Sequence, residues 1–193
     1  MQHDPDPQYP KRMEMPHLTM PVSERDHRQG PATAAVTLVE YGDYEYPYCS
    51  LAYPVVKEIQ RQLGPNLCFV FRHFPLTHMH PLARHAAEAA AAQDTFWHMH
   101  EMLFEHQDAL DDEHLLHSAA ALGLDTERFL GDVRTHVFAY RVHENSESGR
   151  HSRMSGTPTF FINRTRRDDT YTLDVLLPAV RRALPWAERG TRP

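Results

Sequence analysis

The sequence of 193 residues predicts an α/β fold in which a sheet is interrupted by a helical insertion. Three observations support this prediction. Two short β-rich runs enclose a helical pattern, a long helical stretch follows, and a further β-rich run precedes a final helix. A helix between two parallel strands forms a right-handed crossover, and a parallel strand buried on both faces is apolar throughout.

The first half of the sheet is predicted from the order of elements near residue 40. Residues 35–41 are β-rich and are followed by Gly42, which is typical of a short strand. A helix is expected from Pro47 to residue 63, because proline suits the first helical position, where its missing N–H would have no partner anyway. Residues 67–71 are continuously apolar and suit a central strand.

The helical stretch covers residues 81–146. Its Ala-rich opening has high helix propensity. Asp94 and Thr95 are expected to cap a helix that runs from Phe96 to about residue 107. The acids at residues 111–113 suit the start of another helix, and at least one more helix is expected before residue 142.

The C-terminal part returns to β structure and ends in a helix. A β-rich run follows the turn at Gly156, a second short strand is expected around Tyr171, and a last helix is expected over residues 173–184. The predicted domains are an α/β domain at residues 34–80 and 150–185, a helical insertion at residues 81–149, and a C-terminal tail at residues 186–193. Residues 1–33 are expected to form a mobile Pro-rich tail, since they have few large apolar side chains to bury.

Composition narrows the class of protein. The net charge of −6 argues against a nucleic-acid-binding protein. No apolar run approaches the roughly 18 residues that span a bilayer, and residues 1–20 do not form a signal peptide, so a soluble, cytoplasmic protein is expected. Only two cysteines are present, Cys49 and Cys68, which excludes a disulfide framework and a cysteine-based zinc site.

The motif that points to a chemical function is the turn Tyr46-Pro47-Tyr48-Cys49, which lies between the first predicted strand and the first predicted helix. A thiolate at a helix N-terminus is stabilised by the helix dipole and by free backbone N–H groups, which lowers the pKa of the thiol. A second thiol one turn further along can attack a mixed disulfide and release the product. This layout is typical of thioredoxin-like redox sites.

Residues 34–184 resemble the DsbA-like thiol–disulfide oxidoreductases, and are most similar to soluble thioredoxin-like domains that are sometimes fused to sodium/proton antiporters. Four segments carry the resemblance, in the same order as in the family: residues 39–45, 71–76, 104–108 and 156–163. The resemblance implies a thioredoxin-like fold with an inserted helical domain. It also implies a cis bond between Thr157 and Pro158, whose backbone would face the cysteine site and hold an extended ligand.

The active-site motif departs from the family pattern of Cys-Pro-aromatic-Cys. Tyr46 stands at the position of the attacking cysteine, and only Cys49, at the position of the resolving cysteine, is retained. An intramolecular dithiol–disulfide cycle is therefore not possible at this site. Cys68 lies within an apolar run and is interpreted as a small buried hydrophobic residue.

Three functions remain open. In the first, Cys49 acts as a monothiol with Tyr46 beside it, on a thiol- or disulfide-containing protein or peptide or on glutathione. In the second, the fold is a catalytically silent module that binds peptides or proteins. Both would use the same ligand-binding residues: Pro47, Tyr48, Thr157 and Pro158.

The third function is a His- and Met-rich metal-binding protein, suggested by the repeated triplet at residues 78–80 and 98–100. It is the weakest of the three, because residues that are one or two positions apart on a helix do not share a face. The sequence therefore predicts neither a resident metal nor a cofactor.

Overall fold

The computed structural model describes residues 16–76, 82–168 and 170–185. Five strands form one sheet in the order β1-β3-β2-β4-β5. Strands β2 and β3 are parallel, and the other neighbouring pairs are antiparallel. The strands are His27–Gln29 (β1), Val36–Gly42 (β2), Leu67–His73 (β3), Thr159–Ile162 (β4) and Thr165–Arg167 (β5).

Helices cover the sheet and supply the insertion. The helices of the described part are Pro47–Leu63 (α1), Leu82–Ala91 (α2), Phe96–Glu105 (α3), Asp112–Ala121 (α4), Thr126–Arg134 (α5), Ala139–His151 (α6) and Leu173–Ala183 (α7). Helix α1 connects the parallel strands β2 and β3, α2 to α6 lie between β3 and β4, and α7 follows β5. This order confirms the predicted α/β fold with inserted helices. None of the helices in the described ranges is long and apolar enough to cross a membrane.

The sheet has a core on each face, and the two cysteines belong to different ones. Along β3, side chains alternate between faces, so Phe69 and Phe71 join the larger core under α1, while Cys68 and Val70 join the smaller core opposite. Cys49 lies in the larger core. The sheet therefore separates the two thiols, both of which are free, and the interpretation of Cys68 as a buried hydrophobic residue agrees with this placement.

The prediction of a mobile tail is wrong for residues 16–33. Leu18 is buried in the smaller core, and β1 forms an antiparallel pair with β3. Asp26 accepts two hydrogen bonds from the buried Arg72 guanidinium, at 2.7 and 3.0 Å. These contacts come from residues more than 40 positions away, so the local composition did not reveal them. Residues 1–15 and 186–193 lie outside the described residues.

Three smaller predictions need correction. The second C-terminal strand is β5 (Thr165–Arg167), and Tyr171 lies in the loop that follows it. Thr95 precedes α3, but its side chain caps no helical N–H; its hydroxyl donates to the Gln93 carbonyl instead. Helix α6 continues to His151, beyond the expected domain boundary at residue 149.

By contrast, Asp111 caps α4 as expected, because its carboxylate accepts from two backbone N–H groups of the first turn.

Candidate functional site

The site lies where β2 ends and α1 begins. Tyr46 has extended backbone angles and is the last residue before the helix, and Pro47 is the first helical residue. Cys49 is the third residue of α1, and its N–H donates to the Tyr46 carbonyl at 2.9 Å. The preceding turn is closed by a hydrogen bond from the Tyr46 N–H to the Asp43 carbonyl. The sequence thus placed Cys49 correctly in the first turn of a helix.

The Cys49 thiol is held by two partners. The Asp43 N–H donates to the sulfur at 3.4 Å, and the Thr157 hydroxyl lies 3.4 Å from the sulfur on its other side. The hydroxyl proton of Thr157 is already donated to the Tyr41 carbonyl. The Thr157 oxygen is therefore an acceptor for the Cys49 S–H, so the protonated thiol has both a donor and an acceptor.

Burial determines the charge state of this thiol. Cys49 has 0% of its surface exposed. Burial and then the nearby Glu40 carboxyl raise the pKa of Cys49 to about 12, although the hydrogen bond from the Asp43 N–H acts in the opposite direction. The helix N-terminus favours the thiolate. Here the loss of hydration outweighs that effect, and the thiol is protonated at neutral pH.

Glu40 is a site residue that the sequence reasoning missed. It lies on β2, is 2% exposed, and its Oε1 has no hydrogen-bond partner among the described residues. Burial raises the pKa of this carboxyl to about 8. The signal in the sequence was a single acid in a predicted strand whose other residues are uncharged. If such a strand is covered on both faces, its acid is buried as well.

Aromatic side chains surround the start of α1. The Tyr46 and Tyr48 rings pack at a centroid distance of 5.3 Å, and Tyr48 is 53% exposed. The Gln107 side chain donates to the carbonyls of Tyr44 and Tyr46, at 2.7 and 3.1 Å, and ties the turn to the end of α3. Tyr171 and Tyr46 both pack against the larger core. Burial, followed by Tyr48, Cys49 and Tyr46, raises the pKa of the Tyr171 phenol.

A cavity of about 750 Å³ lies beside Thr157 and Pro158, whose peptide bond is cis. It brings together α1, the loop before β4, and the segment from β5 to α7. Its lining consists of Leu51, Val55 and residues 155–159, 166–168 and 170–172. Of the residues predicted to bind a ligand, Thr157 and Pro158 line this cavity, whereas Pro47 and Tyr48 lie at the start of α1 outside its lining.

The histidine-rich segments do not form a metal centre in the described part of the chain, where no group of three or more His, Cys, Asp or Glu side chains is placed to hold an ion. Met99 and His100 are buried in α3, and His100 Nδ1 lies 2.9 Å from the Tyr44 hydroxyl. The triplet at residues 78–80 lies outside the described residues.

Comparison with known proteins places the chain in a family. Residues 22–181 match the sequence model of a family described as thioredoxin. The chain is 44% identical over 179 residues to a protein named Na(+)/H(+) antiporter NhaA 1 from Salinispora arenicola, with 91% of this chain and 27% of that protein covered. An antiporter NhaA 1 from Mycobacterium sp. (strain KMS) is 40% identical over 169 residues, with 84% and 28% covered. The chain thus spans about a quarter of the length of these relatives.

Solved structures show the same fold. Oxidised BdbD from Bacillus subtilis is 25% identical, with a TM-score of 0.72 over 81% of this chain and 91% of that chain. A thioredoxin-like oxidoreductase from Silicibacter pomeroyi DSS-3 is 26% identical, with a TM-score of 0.75 over 83% and 93%. Together with the family match over residues 22–181, these structures show that the chain belongs to the thioredoxin family, among the DsbA-like thiol–disulfide oxidoreductases.

Proposed function

We propose that this protein binds extended polypeptide segments at the cavity beside Thr157 and Pro158, and that it carries out no dithiol–disulfide cycle of its own there. The observation that carries this proposal is the state of Cys49, which is fully buried with a pKa raised to about 12. The fold is that of thiol–disulfide oxidoreductases, but the Cys49 thiol is protonated at neutral pH and is not exposed to solvent.

Thiol–disulfide exchange has two requirements that Cys49 does not meet. The Cys49 thiolate would attack one sulfur of a partner disulfide, forming a mixed disulfide and releasing the other sulfur as a thiolate. This attack requires prior loss of the thiol proton and an approach of the partner sulfur along the S–S axis. The contacts from Asp43 and Thr157 occupy the sulfur, and Tyr46 supplies a phenol, which forms no disulfide.

The cavity has the features of a polypeptide site. Its volume lies within the range of specific binding pockets. Leu51, which is 62% exposed, Val55 and Tyr171 supply apolar surface, and the exposed Tyr48 ring lies nearby on α1. Binding of an extended segment combines main-chain hydrogen bonds with pockets for side chains, and residues 156–159 offer backbone at the cavity wall.

The partners that we propose are thiol- or disulfide-containing proteins and peptides, with glutathione as the smallest, in the cytoplasm. The net charge of −6 supports polypeptides over nucleic acids as partners. Exchange through Cys49 as a monothiol is the weaker alternative, because the contacts with Asp43 and Thr157 would both have to open before the sulfur could react.

Thiol titration of the native protein tests the silent state of Cys49. We expect Cys49 to react with a thiol reagent at least about a thousandfold more slowly than an exposed thiol, and to form no glutathione adduct by mass spectrometry. The matched reference is Leu51→Cys, which places a thiol on the exposed side of the same helix. A Cys49 rate within tenfold of that reference would replace the binding function with the monothiol one.

Peptide binding tests the cavity. A panel of fluorescently labelled extended peptides, each with one central aromatic or aliphatic side chain, is titrated with the protein and followed by anisotropy. Leu51→Glu should weaken binding at least about tenfold, since it places a charge in the apolar wall. Val137→Glu alters a similarly exposed apolar residue outside the cavity lining and should have no effect. Equal losses in both variants, or no binding peptide, would contradict the proposal.

A further inference from the structure

We propose that a second cavity of this chain binds a small organic acid, which has a carboxylate head and a short apolar body. This site goes beyond the polypeptide function proposed above and does not depend on it. The cavity combines an arginine whose charge is weakly balanced, a side-chain amide with a free donor, and an apolar stretch of wall.

The second cavity lies between residues 20–26 and helix α6, with Arg72 of β3 at its wall, and has a volume of about 330 Å³. It shares no lining residue with the cavity beside Thr157 and Pro158. Its volume is near the lower end of the range for small-molecule sites. A cavity of this size suits a small molecule rather than a polypeptide segment.

Two of the three arginines in the lining are already paired with carboxylates of the same lining. Arg72, which is 3% exposed, donates to both oxygens of Asp26, at 2.7 and 3.0 Å. Arg25 donates to the Glu144 carboxylate at 2.9 Å. These bonds engage both carboxylates that line the cavity, so the third arginine has no partner of its own there.

Arg141 is the third arginine, and its charge is only weakly balanced. Its Nε lies 3.6 Å from Glu88 Oε2, which is too far for a hydrogen bond. Glu88 already accepts hydrogen bonds from His27 and His73. The Arg141 Nη2 donates to the Arg25 carbonyl, and its Nη1 has no hydrogen-bond partner among the described residues. A guanidinium with an open N–H at a cavity wall favours an anionic ligand.

The Asn145 side chain places a second donor close to Arg141. Residues four positions apart are neighbours on one face of a helix, and both of these line the cavity. Asn145 Oδ1 accepts from the His73 N–H at 3.0 Å, which fixes the orientation of the amide. Its Nδ2 is left without a hydrogen-bond partner within the described part of the chain. Arg141 and Asn145 thus offer N–H donors to the two oxygens of one carboxylate.

The part of the wall that residues 20–22 supply is apolar. Met20, Pro21 and Val22 line the cavity, and Met20 is 45% exposed. An inorganic anion would leave this surface in contact with water, whereas the apolar body of an organic acid would cover it. The lining therefore favours carboxylic acids with a short aliphatic or aromatic body over phosphate or sulfate.

Hexanoate, titrated into the isotope-labelled protein and followed by the amide NMR signals, tests the site. We expect saturable shifts at Val22 and Glu144 and none at Thr159 or Tyr171, which line the other cavity. Hexanol lacks the carboxylate and inorganic phosphate lacks the apolar body, so each should bind at least about tenfold more weakly than hexanoate. Equal binding of either probe, shifts confined to Thr159 and Tyr171, or no saturable shift would overturn the proposal.

Asn145→Asp tests how the carboxylate is recognised. The variant keeps an oxygen for the His73 N–H but replaces the free donor with a charged oxygen, so hexanoate should bind at least about tenfold more weakly. The matched control is Asn163→Asp, which adds the same charge outside the cavity lining, at a side chain that accepts from the Thr37 N–H. The control should retain the affinity of the unaltered chain.

An unchanged affinity in Asn145→Asp, or equal losses in the two variants, would show that these donors do not hold the ligand and would overturn the proposal. If Asn145→Asp does not fold, the three probes in the unaltered chain decide the outcome. Peptide binding at the other cavity is measured separately, so the two functions can fail independently.

Discussion

Glu40 and Glu88 are both buried, but their surroundings are opposite. Glu40, at the functional site, is 2% exposed, one of its oxygens has no hydrogen-bond partner among the described residues, and burial raises its pKa to about 8. Glu88, on α2, is 3% exposed, and its Oε1 accepts hydrogen bonds from the Nε2 atoms of His27 and His73, each at 2.9 Å. Its Oε2 lies 3.6 Å from Arg141 Nε.

The comparison shows how partners decide the charge of a buried acid. Burial acts to raise the pKa of Glu88, but the hydrogen bonds from His27 and His73 lower it by more than burial raises it. The pKa of Glu88 therefore lies well below its usual range. Glu88 is therefore charged at neutral pH and joins β1, β3 and α2. The Oε1 atom of Glu40 makes no such link within the part of the chain that the structure describes. The acid with partners belongs to the framework, and the acid without them lies beside Cys49.

The largest effect is expected from Glu88→Gln. The substitution leaves Arg141 and two imidazoles, one of them buried, without their carboxylate, and should lower the free energy of unfolding by about 3–5 kcal/mol at pH 7. Urea denaturation measures this loss. The matched control is Glu101→Gln, which removes a partly exposed ion pair with Lys57 and should cost less than about 1 kcal/mol. Similar losses in the two variants would contradict the framework role of Glu88.

Tyr46→Cys tests the other region. It restores two thiols one turn apart, with the new thiol at the helix N-terminus, where thiolates are stabilised. Reduction of an insulin disulfide should become at least about a hundredfold faster than with the unaltered chain. Tyr48→Cys adds a thiol at the neighbouring position and should not have this effect. Equal rates in the two variants would mean that the surroundings of the site no longer support exchange.

Glu40→Gln should stabilise the protein, in contrast to Glu88→Gln. The pKa of Glu40 is about 8 in the folded state against an ordinary value of 4.5, so the folded state retains a proton that the unfolded state releases. Wild-type stability therefore falls as pH rises from 4.5 to 8, by up to about 4 kcal/mol from this group. The variant should match wild type near pH 4.5 and exceed it by up to about 4 kcal/mol at pH 8.

The pH profiles of the two glutamine variants sharpen the comparison. The folded pKa of Glu88 lies below its ordinary value of 4.5, so its stabilisation is present above pH 4.5 and is lost as pH falls below that value. The stability difference between wild type and Glu88→Gln should therefore shrink as pH falls below 4.5, and that for Glu40→Gln should grow as pH rises from 4.5 to about 8 and then level off. Parallel profiles would refute the distinction between the two acids.

The smallest effect is expected from Thr157→Val. It removes the hydroxyl that donates to the Tyr41 carbonyl and faces the Cys49 sulfur, and should cost about 1–2 kcal/mol in the free energy of unfolding. Thr157→Ser keeps the hydroxyl and is expected to retain most of that stability. Urea denaturation of both variants checks the prediction, which fails if serine is no more stable than valine.

Local patterns predicted most of the elements and the place of the site. Pro47 indicated the start of α1, and Asp111 indicated the start of α4, because both act on backbone groups within one turn. Strand β1 was missed because its three residues have no apolar alternation and depend on pairing with β3, some 40 residues away. The position of β5 was missed for a similar reason, since it forms through its register with β4.

The functional site shows the same division. The motif and the resemblance located Cys49 near Thr157 and Pro158, but gave no sign that Glu40 would lack a partner. Whether a buried polar atom is satisfied depends on every chain segment around it, and no short pattern contains that information.

The sequence by itself determined that no second thiol precedes Cys49 by one turn, because position 46 is a tyrosine. Only the tertiary structure decided what happens to the remaining thiol. A helix N-terminus favours the thiolate through a few aligned dipoles, whereas burial removes the hydration of the whole charged group, and here burial outweighs the dipoles. The structure likewise placed Cys68 across the sheet, because side chains of a strand alternate between faces and only packing shows which core each face joins.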